Sequence, residues 1–482
     1  MRFPRAILFA VLLAVPPARA ADEAPFEIII NTMGEIRTRY VDEAKAEPAQ
    51  LIKSAMKGVI DGLDAESLVL PEGRAGEAEP GISLAVKDGV PWVADVVDGS
   101  PAAAAGIRQG DRVIRVDGEN VVGRKRMEAE RMLRGPPGFH ASILWGDRRG
   151  GYHEVSIPRV AVARQAWRKV PLGDAPLIQV FRIDDSSVPG LMAALKDAAR
   201  APVGGAVLDL RRSSGGDVDA ALALADACLP GGSLMAVGRE AGKDRLRQYE
   251  AKRKNEPLDA GLVVLVGPFT QGAAELLASA LKERRRAVLV GRNTFGSVGR
   301  QAEFPLPGRK DARVRLTVER FLTPAGVSLT GSGVGAEVVV KEPVVTEAGR
   351  LIERHSVAQR IVERLVSSPP PVFDLDALKR GELALSRTAT KGRSVAEQRI
   401  EFEQAFQIML EEVLTGLDLD LAREEVDQER PALISRVRVL LAARLMPAAE
   451  ALATDLREDP EVAMGLDVLK AIRILRPGKG GG

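Results

Sequence analysis

Residues able to do chemistry are few in this 482-residue sequence. The single cysteine, Cys228, excludes an intramolecular disulfide framework and any Cys-x-x-Cys or cysteine-cluster metal site. It sits in an apolar helical run, Ala220 to Leu229, so a buried thiol is expected. The three histidines, His140, His153 and His355, lie far apart, and no histidine or carboxylate set has metal-ligand spacing. There is no Walker loop and no Gly-x-Gly-x-x-Gly with a downstream acid. No cofactor or metal is therefore expected. The run Lys282-Glu283-Arg284-Arg285-Arg286 reads as the solvated end of a helix, where cations suit the dipole. What remains is backbone chemistry. Gly81-Ile82-Ser83-Leu84 is a glycine-led loop before a strand edge, which offers N–H groups to an anion. The strand can accept an added peptide, the arrangement that captures peptide C-termini.

Across the whole chain, Lys+Arg 68 against Asp+Glu 66 leaves a net charge of +2. That balance gives no support to a nucleic-acid binder or a polybasic membrane protein. Arg2 and Arg5 precede an apolar run, Ala6 to Val15, which Pro16 and Pro17 break before Ala18-Arg19-Ala20. The run is too short to cross a bilayer, which needs ~20 residues. A signal peptide over 1–20, cleaved before Ala21, is expected, with export to the periplasm or beyond. No later stretch approaches ~18 uncharged apolar residues, so no transmembrane anchor is expected.

Four blocks follow. Residues 21–77 carry two amphipathic helices, seen in Ile28, Ile29, Met33, Ile36 and Tyr40, then in Leu51, Ile52, Met56, Val59 and Ile60. They suit packing or a homo-oligomer contact. Residues 78–160 are β-rich, with Asp88-Gly89 as a hairpin signal. In residues 161–366 continuous apolar runs (Ala206–Leu210, Leu262–Val266, Ala287–Gly291) alternate with helices, which means a buried α/β sheet. A linker, 367–373, contains Pro369-Pro370-Pro371. A helical domain follows over 374–476, with a capping box at Ser394 and Glu397 opening one of its helices, and a disordered glycine-rich tail over 477–482.

Two resemblances refine this picture. Gly99-Ser100-Pro101-Ala102 followed by Gly110-Asp111-Arg112-Val113-Ile114-Arg115-Val116-Asp117-Gly118 resembles a PDZ domain, in which Gly81, Ile82, Ser83 and Leu84 stand at the carboxylate-binding loop. Asp209-Leu210-Arg211-Arg212-Ser213-Ser214-Gly215-Gly216, Thr294-Phe295-Gly296 and Thr323-Pro324-Ala325-Gly326 resemble the motifs of the C-terminal processing peptidases, or tail-specific proteases, of peptidase family S41. Arg39-Tyr40-Val41-Asp42 and Gly62-Leu63-Asp64-Ala65-Glu66-Ser67 resemble the family's N-terminal motifs. The resemblance implies a mixed α/β multidomain fold: an S41-like core, an inserted PDZ β-sandwich, N-terminal helices and a C-terminal helical domain.

Active members of that family carry a Ser–Lys dyad, in which a neutral lysine takes the serine proton. The aligned segment here is Thr270-Gln271-Gly272-Ala273-Ala274-Glu275, so Gly272 stands for the serine. Ser297, directly after Thr294-Phe295-Gly296, stands for the lysine. Gln301 matches the dyad-orienting glutamine. Gly216, or its neighbour Gly215, and the N–H of Ala273 stand where the family builds its oxyanion hole. Two readings follow. One is a pseudopeptidase that binds protein C-termini or unfolded polypeptides, as adaptor or as regulator of an active relative. The other is a hydrolase rewired through Thr270, Ser297 or Ser279 with Lys282.

Overall fold

A computed structural model describes residues 24–70, 78–148, 150–243, 245–252, 258–306, 309–342 and 346–475. The expected signal peptide and the expected tail over 477–482 lie outside the described residues. The described chain divides into two compact units. The first comprises residues up to Arg164 together with Ala236–Tyr249 and Ser297–Thr330. The second comprises Gln165–Met235, Glu250–Gly296 and Gly331 onward. The expected 161–366 core thus contributes to both.

The first unit opens with helices Ala24–Arg39 and Pro48–Asp61, the two amphipathic stretches. Its expected PDZ portion is a sheet in the order Ile82–Lys87, Val90–Val96, Arg112–Val116, His140–Gly146, Tyr152–Pro158. The first two strands form the expected hairpin, with Asp88 at φ 53° and Gly89 at φ 74°. Two consecutive positive φ values match the strand twist, which is why Asp-Gly serves here. Strand Ile82–Lys87 lies at one edge of this sheet, and the helix Arg126–Leu133 packs against it. Ile82, Leu84, Val93, Val113, Leu133 and Ile143 build the core beneath. A second sheet pairs the long strand Arg309–Leu322 with Leu68–Leu70, Leu234–Glu240 and Gly299–Leu306.

The second unit is built on a six-stranded sheet. Its order is Val338–Val339, Val288–Gly291, Gly261–Val266, Gly205–Asp209, Ala175–Val180, Trp167–Leu172. All neighbours are parallel except the last pair. Parallel strands need both faces covered, which explains their unbroken apolar runs. Helices Val188–Ala199, Val218–Cys228 and Ala273–Glu283 pack on one face. Val207, Val263, Leu265 and Val290 point the other way and pack against Ala453, Leu456, Val462 and Leu469. The last two helices of the expected C-terminal domain, Ala448–Glu458 and Pro460–Leu475, thus belong to the sheet's own core. Gly465 lets the last of them approach, since a Cβ there would lie 2.8 Å from Leu265. The helices between Glu347 and Leu445 form a separate apolar cluster around Phe406, Leu410, Val437 and Leu441.

Candidate functional site

Loops at the carboxyl ends of the parallel strands build the first candidate site, where such sheets place ligands. Strand Gly261–Val266 leads through Gly267–Gln271 into Gly272, which caps the helix Ala273–Glu283 with φ 66° and ψ −119°. This sharp strand-to-helix elbow is the backbone form that holds a nucleophile up at a sheet's edge. Here a glycine occupies the elbow, so no side chain projects from it. There is room for one: a Cβ on Gly272 would meet its nearest neighbour, the Gly215 carbonyl oxygen, at 3.4 Å.

Gly215 and Gly216 have φ 74° and 100°. A Cβ on Gly216 would lie 2.4 Å from the Ile183 carbonyl oxygen and 3.0 Å from the Ala273 Cβ. Only glycine fits this turn, and it places Gly216 beside the first residue of the elbow helix. The second unit therefore brings Gly216, Gly272 and Ala273 together. At a helix start the N–H groups have no intrahelical acceptor and suit a partly negative oxygen.

The alternative nucleophiles are already engaged or enclosed. Thr270 is fully buried; its hydroxyl donates to the Leu210 carbonyl oxygen at 2.9 Å and accepts the Gly267 N–H at 3.0 Å. Ser279 is buried in the middle of the helix. Lys282 Nζ donates to the Gly335 carbonyl oxygen at 2.8 Å. In the first unit, Ser297 is half-buried. Gln301 donates from Nε2 to Thr317 Oγ1 at 3.4 Å.

Glu275 holds the elbow in place. It is fully buried. Its Oε2 accepts the Gly272 N–H at 3.1 Å, while Oε1 accepts the Thr294 hydroxyl at 2.5 Å and the Gly296 N–H at 2.6 Å. Thr294 Oγ1 accepts the Val334 N–H at 2.7 Å. One carboxylate thus ties the elbow to the Thr294–Gly296 turn. The sequence signal for the first of these bonds is a glutamate three residues after the helix cap. On the far side of the glycine turn, buried Asp209 pairs with Arg211 at 2.8 Å, and Arg211 reaches Asp459 at 2.8 Å and Glu461 at 2.7 Å. Burial alone would raise the Asp209 pKa, but the charge and hydrogen bonds of Arg211 outweigh it and hold it below the ordinary value.

The second candidate site is the edge strand of the PDZ portion. Gly81, at φ 94°, is required because a Cβ would lie 2.4 Å from Ser100 Cβ. The backbone groups after it are occupied. The Leu84 N–H donates to Glu130 Oε1 at 3.1 Å. Arg164 donates to the Ile82 carbonyl oxygen at 3.0 Å and to Ser83 Oγ at 2.8 Å, and it is held by Glu79 at 2.8 Å. No local sequence rule marks Glu130 or Arg164.

Comparison with known proteins agrees with this architecture. Residues 177–340 match the family described as Peptidase family S41, and residues 92–145 match the PDZ domain. A carboxy-terminal-processing protease of Bartonella bacilliformis is 28% identical over 325 residues, 64% of this chain and 73% of the relative. The carboxy-terminal processing protease CtpA of Bacillus subtilis is 26% identical over 335 residues, 67% of this chain and 70% of the relative. The solved structure of a photosystem II D1 C-terminal processing protease aligns with a TM-score of 0.54 at 21% identity. It covers 67% of this chain and 95% of that one, a likeness of fold. Among the described residues no helix is long and apolar enough to cross a membrane.

Proposed function

The chain carries a peptidase family S41 domain and a PDZ domain, and on that premise we propose that it is an exported pseudopeptidase that binds protein C-termini or extended polypeptides. It acts as an adaptor, or as a regulator of an active relative, in the cell envelope. The observation that carries this is the elbow at Gly272, whose backbone keeps the nucleophile's conformation without any atom to attack with. Ser297, at the position of the base, is a hydroxyl that does not accept a proton near neutral pH. The retained glycine turn and helix start still suit a peptide carbonyl, so binding can outlive cleavage.

The test is on purified protein with an unfolded casein substrate, beside an Ala273→Pro variant that lacks one N–H of the glycine-turn site. No cleavage above the blank is expected. Losing a nucleophile leaves at most ~10³–10⁴ over the water rate, which is invisible for peptide bonds in such an assay. Cleavage by the wild type that Ala273→Pro abolishes while folded refutes the reading. Export is checked by N-terminal sequencing of secreted material, which should begin at Ala21; Met1 on that material refutes it.

A further inference from the structure

We infer that Glu130 is a built-in competitor for the carboxylate-binding loop of the PDZ domain, a latch that a peptide C-terminus must displace. The inference rests on the reading of Gly81–Leu84 as a carboxylate site.

Three observations carry it. First, Ile82–Lys87 is the edge strand to which a peptide would add, and the helix Arg126–Leu133 packs against it. Second, a carboxylate already sits on this edge. Glu130, on that helix, accepts the Leu84 N–H with Oε1 at 3.1 Å. Third, the carboxylate is held there from behind. Arg126 donates to Glu130 Oε2 at 3.2 Å and to Glu66 Oε2 at 2.8 Å. The helix start is fixed in turn by Lys125, whose Nζ donates to the carbonyl oxygens of Ile60 at 3.1 Å, Asp64 at 2.9 Å and Ser67 at 2.5 Å.

A peptide C-terminus offers the same group that Glu130 offers. The two cannot share one N–H, and two carboxylates side by side repel. Glu130 must therefore swing away before a peptide carboxylate can take the Leu84 N–H. The exchange is balanced in charge: Arg126 loses one carboxylate neighbour and gains another. The intramolecular group has the advantage of its tether, so it sets a threshold that weak or amidated ligands do not pass.

The experiment compares full-length wild type with Glu130→Ala. The ligand-free readout is hydrogen exchange at the Leu84 amide, which should become faster in the variant. The binding readout uses one short unstructured peptide with an apolar C-terminal residue, as the free acid and as the amide. The free acid should bind Glu130→Ala about tenfold more tightly than it binds wild type, roughly 1.4 kcal/mol, with a smaller gain for the amide, which is freed of the competitor but brings no charge. Glu130→Gln, which keeps the side-chain volume and removes the charge, should move the free acid in the same direction and serves if the alanine variant does not fold. Unchanged Leu84 exchange, or no gain for the free acid, overturns the latch. If wild type still prefers the acid to the amide, the carboxylate site survives that failure. Equal affinity of acid and amide in every variant overturns the site itself, and the latch with it.

Discussion

Placing a Cβ on Gly272 isolates the backbone contribution of the elbow from its chemistry. At φ 66° and ψ −119° a residue with a side chain is strained. Such conformations cost about 1–3 kcal/mol. The added Cβ meets nothing nearer than 3.4 Å, so no packing penalty adds to this. Gly272→Ala and Gly272→Ser should therefore both fold and should lose the same stability. With ~2–4 °C per kcal/mol for a unit of this size, the melting temperature falls by roughly 2–12 °C. Gly216→Ala should lose more, because its Cβ would lie 2.4 Å from a backbone oxygen that cannot move aside. Scanning calorimetry on the three variants gives the order. The casein assay on Gly272→Ser should remain blank, since restoring a hydroxyl supplies no base to take its proton. Cleavage by Gly272→Ser alone, or a Gly272→Ala loss as large as that of Gly216→Ala, would refute the reasoning.

Arg211→Met leaves the Asp209 carboxylate buried without its partner, and unfolding by denaturant should show a loss of about 3–5 kcal/mol at neutral pH. In the wild type the Asp209 pKa is held below its unfolded value of ~3.9, so its contribution is complete above that pH and fades as pH falls through the lower folded value. The gap between wild type and Arg211→Met should narrow in acid; a gap independent of pH would show that the pair carries no charge-dependent stability. Cys228 is buried, and burial pushes its thiol pKa up to about 11, with Arg286 offsetting only part of this. A thiol reagent should leave the native protein unlabelled at neutral pH and label it fully in denaturant; rapid native labelling would contradict the burial.

The sheet of the second unit is legible because parallel strands covered on both faces must be apolar throughout, as Ala206–Leu210 and Leu262–Val266 are. The strand-to-helix junction at Gly272 is legible only through the resemblance, because the spacing of its motifs, and no local pattern, singles out that residue. The grip of Glu275 on Thr294 and Gly296 is not, because those partners lie 19 and 21 positions away and local patterns do not reach that far. Glu130 and Leu84 are 46 positions apart, and the helix pattern around Glu130 reads equally well as a solvated face. The last two helices show the same limit. Periodicity reveals that a helix has an apolar face, and says nothing of which surface receives it.

That final helix has a consequence for the order of synthesis. Asp459 grips Arg211 across 248 positions of chain, and Val462 and Leu469 cover Val207, Val263 and Leu265. Until residues 460–475 have emerged, one face of the sheet has no cover and the turn that carries Gly215 and Gly216 lacks its outer anchor. Closing so long a loop is also slow. The parallel sheet can therefore be completed only after the last helix has been synthesised.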